Sequence, residues 1–86
     1  MRKIWSDEAW EDYLYWQTQD KKTLKRINQL LQDVDRNGYS GIGKPEMLKG
    51  NLSGFCSRRI NDVDRLVYRI TDNVIEVASC KGHYDD

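Results

Sequence analysis

The chain is poor in the residues that build metal centres and disulfide scaffolds: 86 residues include one histidine and two cysteines. Cys56 and Cys80 lack CxxC spacing, and with His83 they offer too few ligands for a structural zinc site, so no metal and no cofactor is expected. A single histidine also excludes any mechanism that needs two imidazoles. Charge of a prevailing sign is missing too: 14 Lys and Arg balance 14 Asp and Glu, so overall basicity does not point to nucleic acid. No apolar run has the length of a membrane span, and the start, Met-Arg-Lys-Ile-Trp-Ser-Asp-Glu, is charged at once. The expectation is a cytoplasmic protein with no membrane partner and with both thiols reduced.

What is present fits one small domain over residues 1–86. At this size folding buries about 60–65% of the chain's potential surface, enough for one small core. The composition is 38% apolar and 33% charged, which excludes a disordered chain, and three Trp and five Tyr supply large areas to bury. Charge is unevenly spread: residues 1–20 carry a net −3, residues 21–40 and 41–69 each +3, and residues 70–86 −3. A neutral chain with a basic middle can present a basic face, or simply a mixed, solvated surface.

Lys3, Ile4 and Trp5 read as a short strand. Ser6 can cap a helix over residues 7–18, with Asp7 and Glu8 complementing its dipole. Ala9, Trp10, Tyr13, Leu14 and Trp16 recur at helical spacing and are expected to pack in the core, the alternative for the aromatics being a stacking platform for bases. Asp20 can cap a second helix over residues 21–36, whose stripe is Leu24, Ile27, Leu30, Leu31 and Val34, with Asn37-Gly38 as its stop. Lys21, Lys22, Lys25 and Arg26 lie at the start of this helix, where the dipole disfavours cations. They are either tolerated on a solvated surface or kept for a polyanionic partner.

Residues 39–54 hold four of the six glycines, with Gly38 just before them, and the only proline. A loop of this length is uncommon inside a compact domain and tends to be functional, and Met47, Leu48 and Leu52 can anchor it. Residues 55–61 and 65–71 read as strands around a turn at Asp62-Val63-Asp64. Asp72-Asn73 is a second tight turn before a β-branched strand over residues 74–80. The expected architecture is α+β in the order β-α-α-β-β-β, with two N-terminal helices packed on an antiparallel sheet.

Alternation places Arg65, Val67 and Arg69 on one face of their strand and Leu66, Tyr68 and Ile70 on the core face. Arg59 lies opposite Arg58 and Ile60. Arg59 and Arg65 either converge as a fork for phosphate or pair on the surface with Asp62 and Asp64. Metal-free RNA cleavage needs a base for the 2′-hydroxyl, an acid for the leaving 5′-oxygen and cations on the phosphate. Glu46 and His83 can fill the first two roles, but 37 residues separate them, and spacing alone does not bring them together.

Ile4-Trp5-Ser6, the run Trp10-Glu11-Asp12-Tyr13-Leu14-Tyr15-Trp16, Gly43-Lys44-Pro45-Glu46, Leu48-Lys49 with Asn51-Leu52-Ser53-Gly54, Ser57-Arg58-Arg59-Ile60, Arg65-Leu66-Val67-Tyr68 and the terminal His83-Tyr84 together carry a resemblance. Over residues 1–84 the chain resembles the YoeB-type toxins of the RelE superfamily, ribosome-dependent mRNA interferases of bacterial toxin–antitoxin pairs. The resemblance implies a microbial-ribonuclease-like (RelE-like) fold and cleavage of mRNA in the ribosomal A site, leaving a 2′,3′-cyclic phosphate and a 5′-hydroxyl. It implies Glu46 as general base, His83 as general acid and Arg65 on the transition state. Lys49 and Arg59 would contact phosphate, and Tyr84 would position RNA. The implied partners are a cognate YefM/Phd-type antitoxin, the ribosome with its mRNA, operator DNA only through the antitoxin complex, and a second copy of the chain as homodimer. The cationic start of the second helix would then touch ribosomal RNA.

The chain departs from that family pattern in three places. Cys56 replaces a usual Trp, which is expected to shrink an aromatic surface near the site. Val63-Asp64 replaces a common Glu-His, removing an acid and an imidazole there. Asp85 and Asp86 extend past Tyr84, where they are expected to repel phosphate and to lower activity. The alternatives are a non-nuclease toxin of the same fold and an antitoxin-binding transcriptional co-repressor.

Overall fold

A computed structural model describes residues 1–83. Its elements are β1 (Arg2–Trp5), α1 (Asp7–Gln19), α2 (Lys21–Asn37), β2 (Glu46–Met47), a 3-10 turn (Gly50–Leu52), β3 (Cys56–Arg59), β4 (Arg65–Thr71) and β5 (Val74–Ser79). The strands form one sheet in the order β1-β5-β4-β3-β2. The expected α+β arrangement is present with two differences. The sheet is mixed, because β1 runs parallel to β5. The long loop also contributes a strand of its own, β2, antiparallel to β3. A parallel pair needs a long crossover, and here nearly the whole chain lies between its two strands.

Local chemistry sets the helix ends. Ser6 Oγ accepts from the Ala9 N–H at 3.0 Å and donates to the Ala78 carbonyl at 2.7 Å, so one hydroxyl caps α1 and ties it to β5. Asp20 caps α2, accepting from the N–H groups of Lys22 and Thr23 and from the Thr23 hydroxyl. Those bonds hold the Asp20 carboxyl below its usual range. Gly38, at φ +64°, ends α2 and donates to the Val34 carbonyl.

α2 buries Thr23, Ile27, Leu30, Leu31 and Val34 against Cys56, Leu66, Tyr68, Ile75, Val77 and Cys80 of the sheet side. Each fully buried aliphatic side chain contributes about 1.5–3 kcal/mol. α1 is less deeply set than its aromatic pattern suggests: Ala9 and Trp16 are buried, whereas Trp10 is 47% and Leu14 42% exposed. At 3.6 residues per turn Trp10 and Leu14 lie about 100–140° around the helix from Ala9, outside the strip that touches the sheet. Trp10 packs instead beside Trp5 and Tyr13 on the surface.

The sheet side of this core contains one charge. Arg58 is fully buried and donates to Asp33, to the Tyr68 hydroxyl and to the carbonyls of Gly38, Ser40 and Ile42. Asp33 in turn accepts from the Ile42 N–H, and the hydrogen bond from Arg58 is the main reason its carboxyl sits below the usual range. This network folds the chain after α2 back onto β3. Gly41, at φ +115°, passes so close that a Cβ would stand 2.0 Å from the Asp33 carboxylate. Gly43 then accepts from the Arg59 N–H at 2.7 Å, which delivers Pro45 and Glu46 to the sheet edge. Leu48 is buried and anchors the loop as expected, but Met47 is 47% exposed.

Candidate active site

The helices cover one face of the sheet; the opposite face is buried at its centre, at Ser57 and Val67, and open toward Glu46 and Arg59 at its rim. Directly paired residues share a face, and the register assigns them. Glu46 pairs with Ser57 and Ser57 with Val67, giving a row across three strands of this face; the register to β5 shifts between Val67 and Tyr68. Arg59 pairs with Arg65 one step along, on the same face. On the other side of the row Arg69 lies over the Phe55 ring at 4.8 Å and pairs with Glu76 at 2.9 Å. A shallow groove lined by Ile4, Trp5, Phe55, Glu76 and Ala78 continues this face.

The structure therefore brings Glu46, Arg59 and Arg65 together. Two strand spacings and two residues separate Glu46 from Arg65, about 12 Å between Cα atoms, a gap that two long side chains can close around a phosphate. Glu46, Lys49, Arg59 and His83 are exposed and Arg65 is partly so. Among the described residues no ion pair joins Arg59 or Arg65 to Asp62 or Asp64, so the surface-pairing alternative is not what these arginines do. The Arg65 guanidinium donates instead to the carbonyls of Asn61 and Asp64 in the β3–β4 turn. Lys49 stands just before the 3-10 turn.

The segment just before His83 is fastened to the start of β4. The Arg65 N–H donates to the Gly82 carbonyl at 2.9 Å, and the Gly82 N–H donates to the Asp64 carboxylate at 2.8 Å. Upstream, the Cys80 N–H donates to Asp12 at 3.0 Å, and the Trp16 indole donates to the Cys80 carbonyl at 2.9 Å. Tyr84, Asp85 and Asp86 lie outside the described residues, so the roles expected of them are not placed.

Three expectations change. Cys56 is fully buried in the core under the helices, on the face away from Glu46, so it takes no part in a surface near the site. Val67 keeps the face that alternation gave it, but it is fully buried there, beside the buried Ser57. Asp64 is no simple loss of an imidazole: it is 8% exposed and holds the chain before His83. Asp12, Asp64 and the buried Arg58 are the organising residues that pattern reading missed. Only Arg58 had a signal, its place on the core face of an alternating strand. Among the described residues no group of three or more His, Cys, Asp or Glu is arranged to hold a metal, and no helix is long and apolar enough to cross a membrane.

Comparison with known proteins bears on the fold and the family. Residues 5–84 match the family described as "YoeB-like toxin of bacterial type II toxin-antitoxin system". Toxin YoeB of Escherichia coli K12 is 55% identical over 84 residues, covering 98% of this chain and all of that protein. A YoeB/ParE toxin from Agrobacterium tumefaciens superposes with a TM-score of 0.95 at 40% identity, covering 98% of this chain and 100% of the other. The Staphylococcus aureus YoeB, solved in a heterotetrameric YoeB–YefM complex, superposes at 0.91 with 56% identity and 98% of each chain covered. The same protein was also solved as a dimer. With a family match over nearly its whole length and relatives above half identity, the chain belongs to the YoeB-like toxins of bacterial type II toxin–antitoxin systems.

Proposed function

We propose that the protein is the toxin of such a pair and acts as an endoribonuclease that cleaves mRNA in the ribosomal A site. The observation that carries this reading is that Glu46, Arg59 and Arg65 share one side of the sheet, while Gly82, the residue before His83, accepts from the Arg65 N–H. In the proposed reaction Glu46 takes the proton from the 2′-hydroxyl. The 2′-oxygen attacks the adjacent phosphorus, and His83 protonates the leaving 5′-oxygen. The products are a 2′,3′-cyclic phosphate and a 5′-hydroxyl, and no metal takes part. Arg65 opposes the charge that builds on the phosphoryl oxygens, with Arg59 and Lys49 on neighbouring phosphates. Tyr84 fits the role of placing the RNA by ring or hydroxyl.

By likeness to the S. aureus relative, the partners are a YefM-type antitoxin and a second copy of the chain, and operator DNA is bound only through the antitoxin complex. The exposed Lys21, Lys22 and Lys25 at the start of α2 suit a contact with ribosomal RNA that weakens with salt. The setting would be the bacterial cytoplasm, where ribosomes are.

The test is primer extension on mRNA in programmed ribosomes. Glu46→Gln, Arg65→Ala and His83→Gln should each lower cleavage by at least about a hundredfold while antitoxin binding persists. If growth arrest survives the triple variant, the chain is a non-nuclease toxin. If neither arrest nor cleavage is seen with the wild type, it is a co-repressor.

A further inference from the structure

We propose that Asp64 is a positioning residue for His83, acting through the backbone of Gly82; this rests on the reading of His83 as general acid given above. Asp64 is a carboxylate with only 8% of its surface exposed. Among the described residues no cation forms an ion pair with it. A buried carboxylate needs hydrogen-bond donors in place of water. The donors here are the Gly82 N–H on Oδ1 at 2.8 Å and the Asn61 side-chain amide on Oδ2 at 3.0 Å. Asn61 is itself locked, since its Oδ1 accepts from the N–H groups of Val63 and Asp64. The carboxylate is thus aimed by the β3–β4 turn at one peptide of a segment distant in sequence.

The neighbouring bond makes the grip specific. Arg65, the residue after Asp64, donates its N–H to the carbonyl of the same Gly82 at 2.9 Å. One residue is therefore held at both its N–H and its C=O by two consecutive residues, and the second of them carries the guanidinium expected on the transition state. Gly82 sits at φ +92°, a backbone state that favours glycine, while nothing crowds the position of a Cβ. Glycine is needed there for the shape of the chain. Upstream, Asp12 and Trp16 fasten Cys80 to α1. Four hydrogen bonds thus define the path over residues 80–82, and His83 is the next residue. Asp64 couples the position of the acid to the position of Arg65, because the turn that carries one carries the other.

The prediction concerns rate more than binding. Asp64→Ala removes the carboxylate and should lower the single-turnover cleavage rate at saturating ribosomes on the order of ten- to a hundredfold, the cost of a small misplacement of a reacting group. The half-saturating ribosome concentration should stay within about twofold, since no RNA contact is removed. By NMR, the Gly82 amide should exchange with solvent faster and the His83 ring signals should move. Leu31→Ala, a core variant on α2, serves as the stability control: destabilised but folded at the assay temperature, it should keep the wild-type rate and ring signals. Asp64→Asn keeps an acceptor for Gly82 and should retain more activity than Asp64→Ala; it carries the test if the alanine variant does not fold. The proposal is overturned if His83→Gln is inactive while Asp64→Ala cleaves at the wild-type rate with unchanged Gly82 exchange. It is overturned equally if Leu31→Ala loses as much rate as Asp64→Ala. If His83→Gln cleaves normally, the assignment of the acid fails instead, and the exchange and ring signals alone decide whether Asp64 orders the segment.

Discussion

On the helix-covered face of the sheet Arg58 is fully buried and directs its guanidinium to five acceptors, whereas on the open face Arg59, the next residue, stays exposed beside Arg65. The two side chains are chemically identical and differ by one step of a strand whose faces alternate. On the covered face the charge is matched to a carboxylate and to backbone carbonyls, so it organises the loop that leads to Glu46. On the open face the arginines have no carboxylate partner among the described residues except where Arg69 meets Glu76, and they remain available to an anion. The covered face thus builds the scaffold and the opposite face presents the candidate site, with the β3–β4 turn and residues 80–82 joining the two.

The strongest way to break this contrast is to delete each arginine. Arg58→Ala removes a donor from Asp33 and from three carbonyls and should cost about 3–5 kcal/mol, as when one partner of a buried ion pair is removed. Arg59→Ala should change stability by about 0.5 kcal/mol or less while weakening RNA cleavage. Urea unfolding and the ribosome assay on the same two proteins check both halves; comparable stability losses would erase the distinction.

A smaller effect comes from acid. The Asp33 carboxyl is held below its ordinary value, first by the Arg58 hydrogen bond, and Glu76 on the open face is held down first by Arg69. A depressed carboxylate contributes stability that is present above its unfolded value, about 3.9 for Asp, and is lost as pH falls toward the lower native value. Asp33→Asn should therefore flatten the decline in stability below about pH 4. Glu76→Gln should flatten it less, because Glu76 serves no buried network. Equal changes in acid unfolding curves would refute the contrast.

The smallest effect has the opposite sign. Asp12 has its carboxyl raised, chiefly by burial, although it accepts from the Cys80 N–H. A raised carboxyl favours folding below the unfolded value and loses that contribution as pH rises through the native one. Asp12→Asn keeps an acceptor oxygen for Cys80 without a charge to bury. It should leave the thermal midpoint unchanged or slightly higher at pH 7, with the gain vanishing below about pH 4; a clear drop at pH 7 would show that the ionised form is needed. Cys80 itself is shielded in the same place, its thiol pushed up to about 12 by burial.

Much of the fold could be read from residues near one another in sequence. Ser6, Asp20 and Gly38 mark helix ends through their own hydrogen bonds or dihedrals. The stripe from Ile27 to Val34 records one helix face. Asp72 and Asn73 adopt positive φ in the turn between β4 and β5, as that pair suggested. The facing of Arg58 and Arg59 follows from alternation alone, and the choice of candidate site residues rests on the family resemblance.

Other features depend on partners far away in the chain. The parallel pairing of β1 with β5 joins segments about 70 residues apart, and β2 forms only because β3 offers it an edge. The burial of Cys56 and Val67, the clamp of Asp12 on Cys80 and that of Asp64 on Gly82 have no local signature. Caps, turns and periodicity act over a few residues, so the sequence by itself determined the elements and their inner faces. Where those faces meet is a competition among long-range contacts, each with its own loop-closure cost. Only the tertiary structure decided that Gly82, the residue before His83, would be bonded to Asp64 and Arg65 at the start of β4.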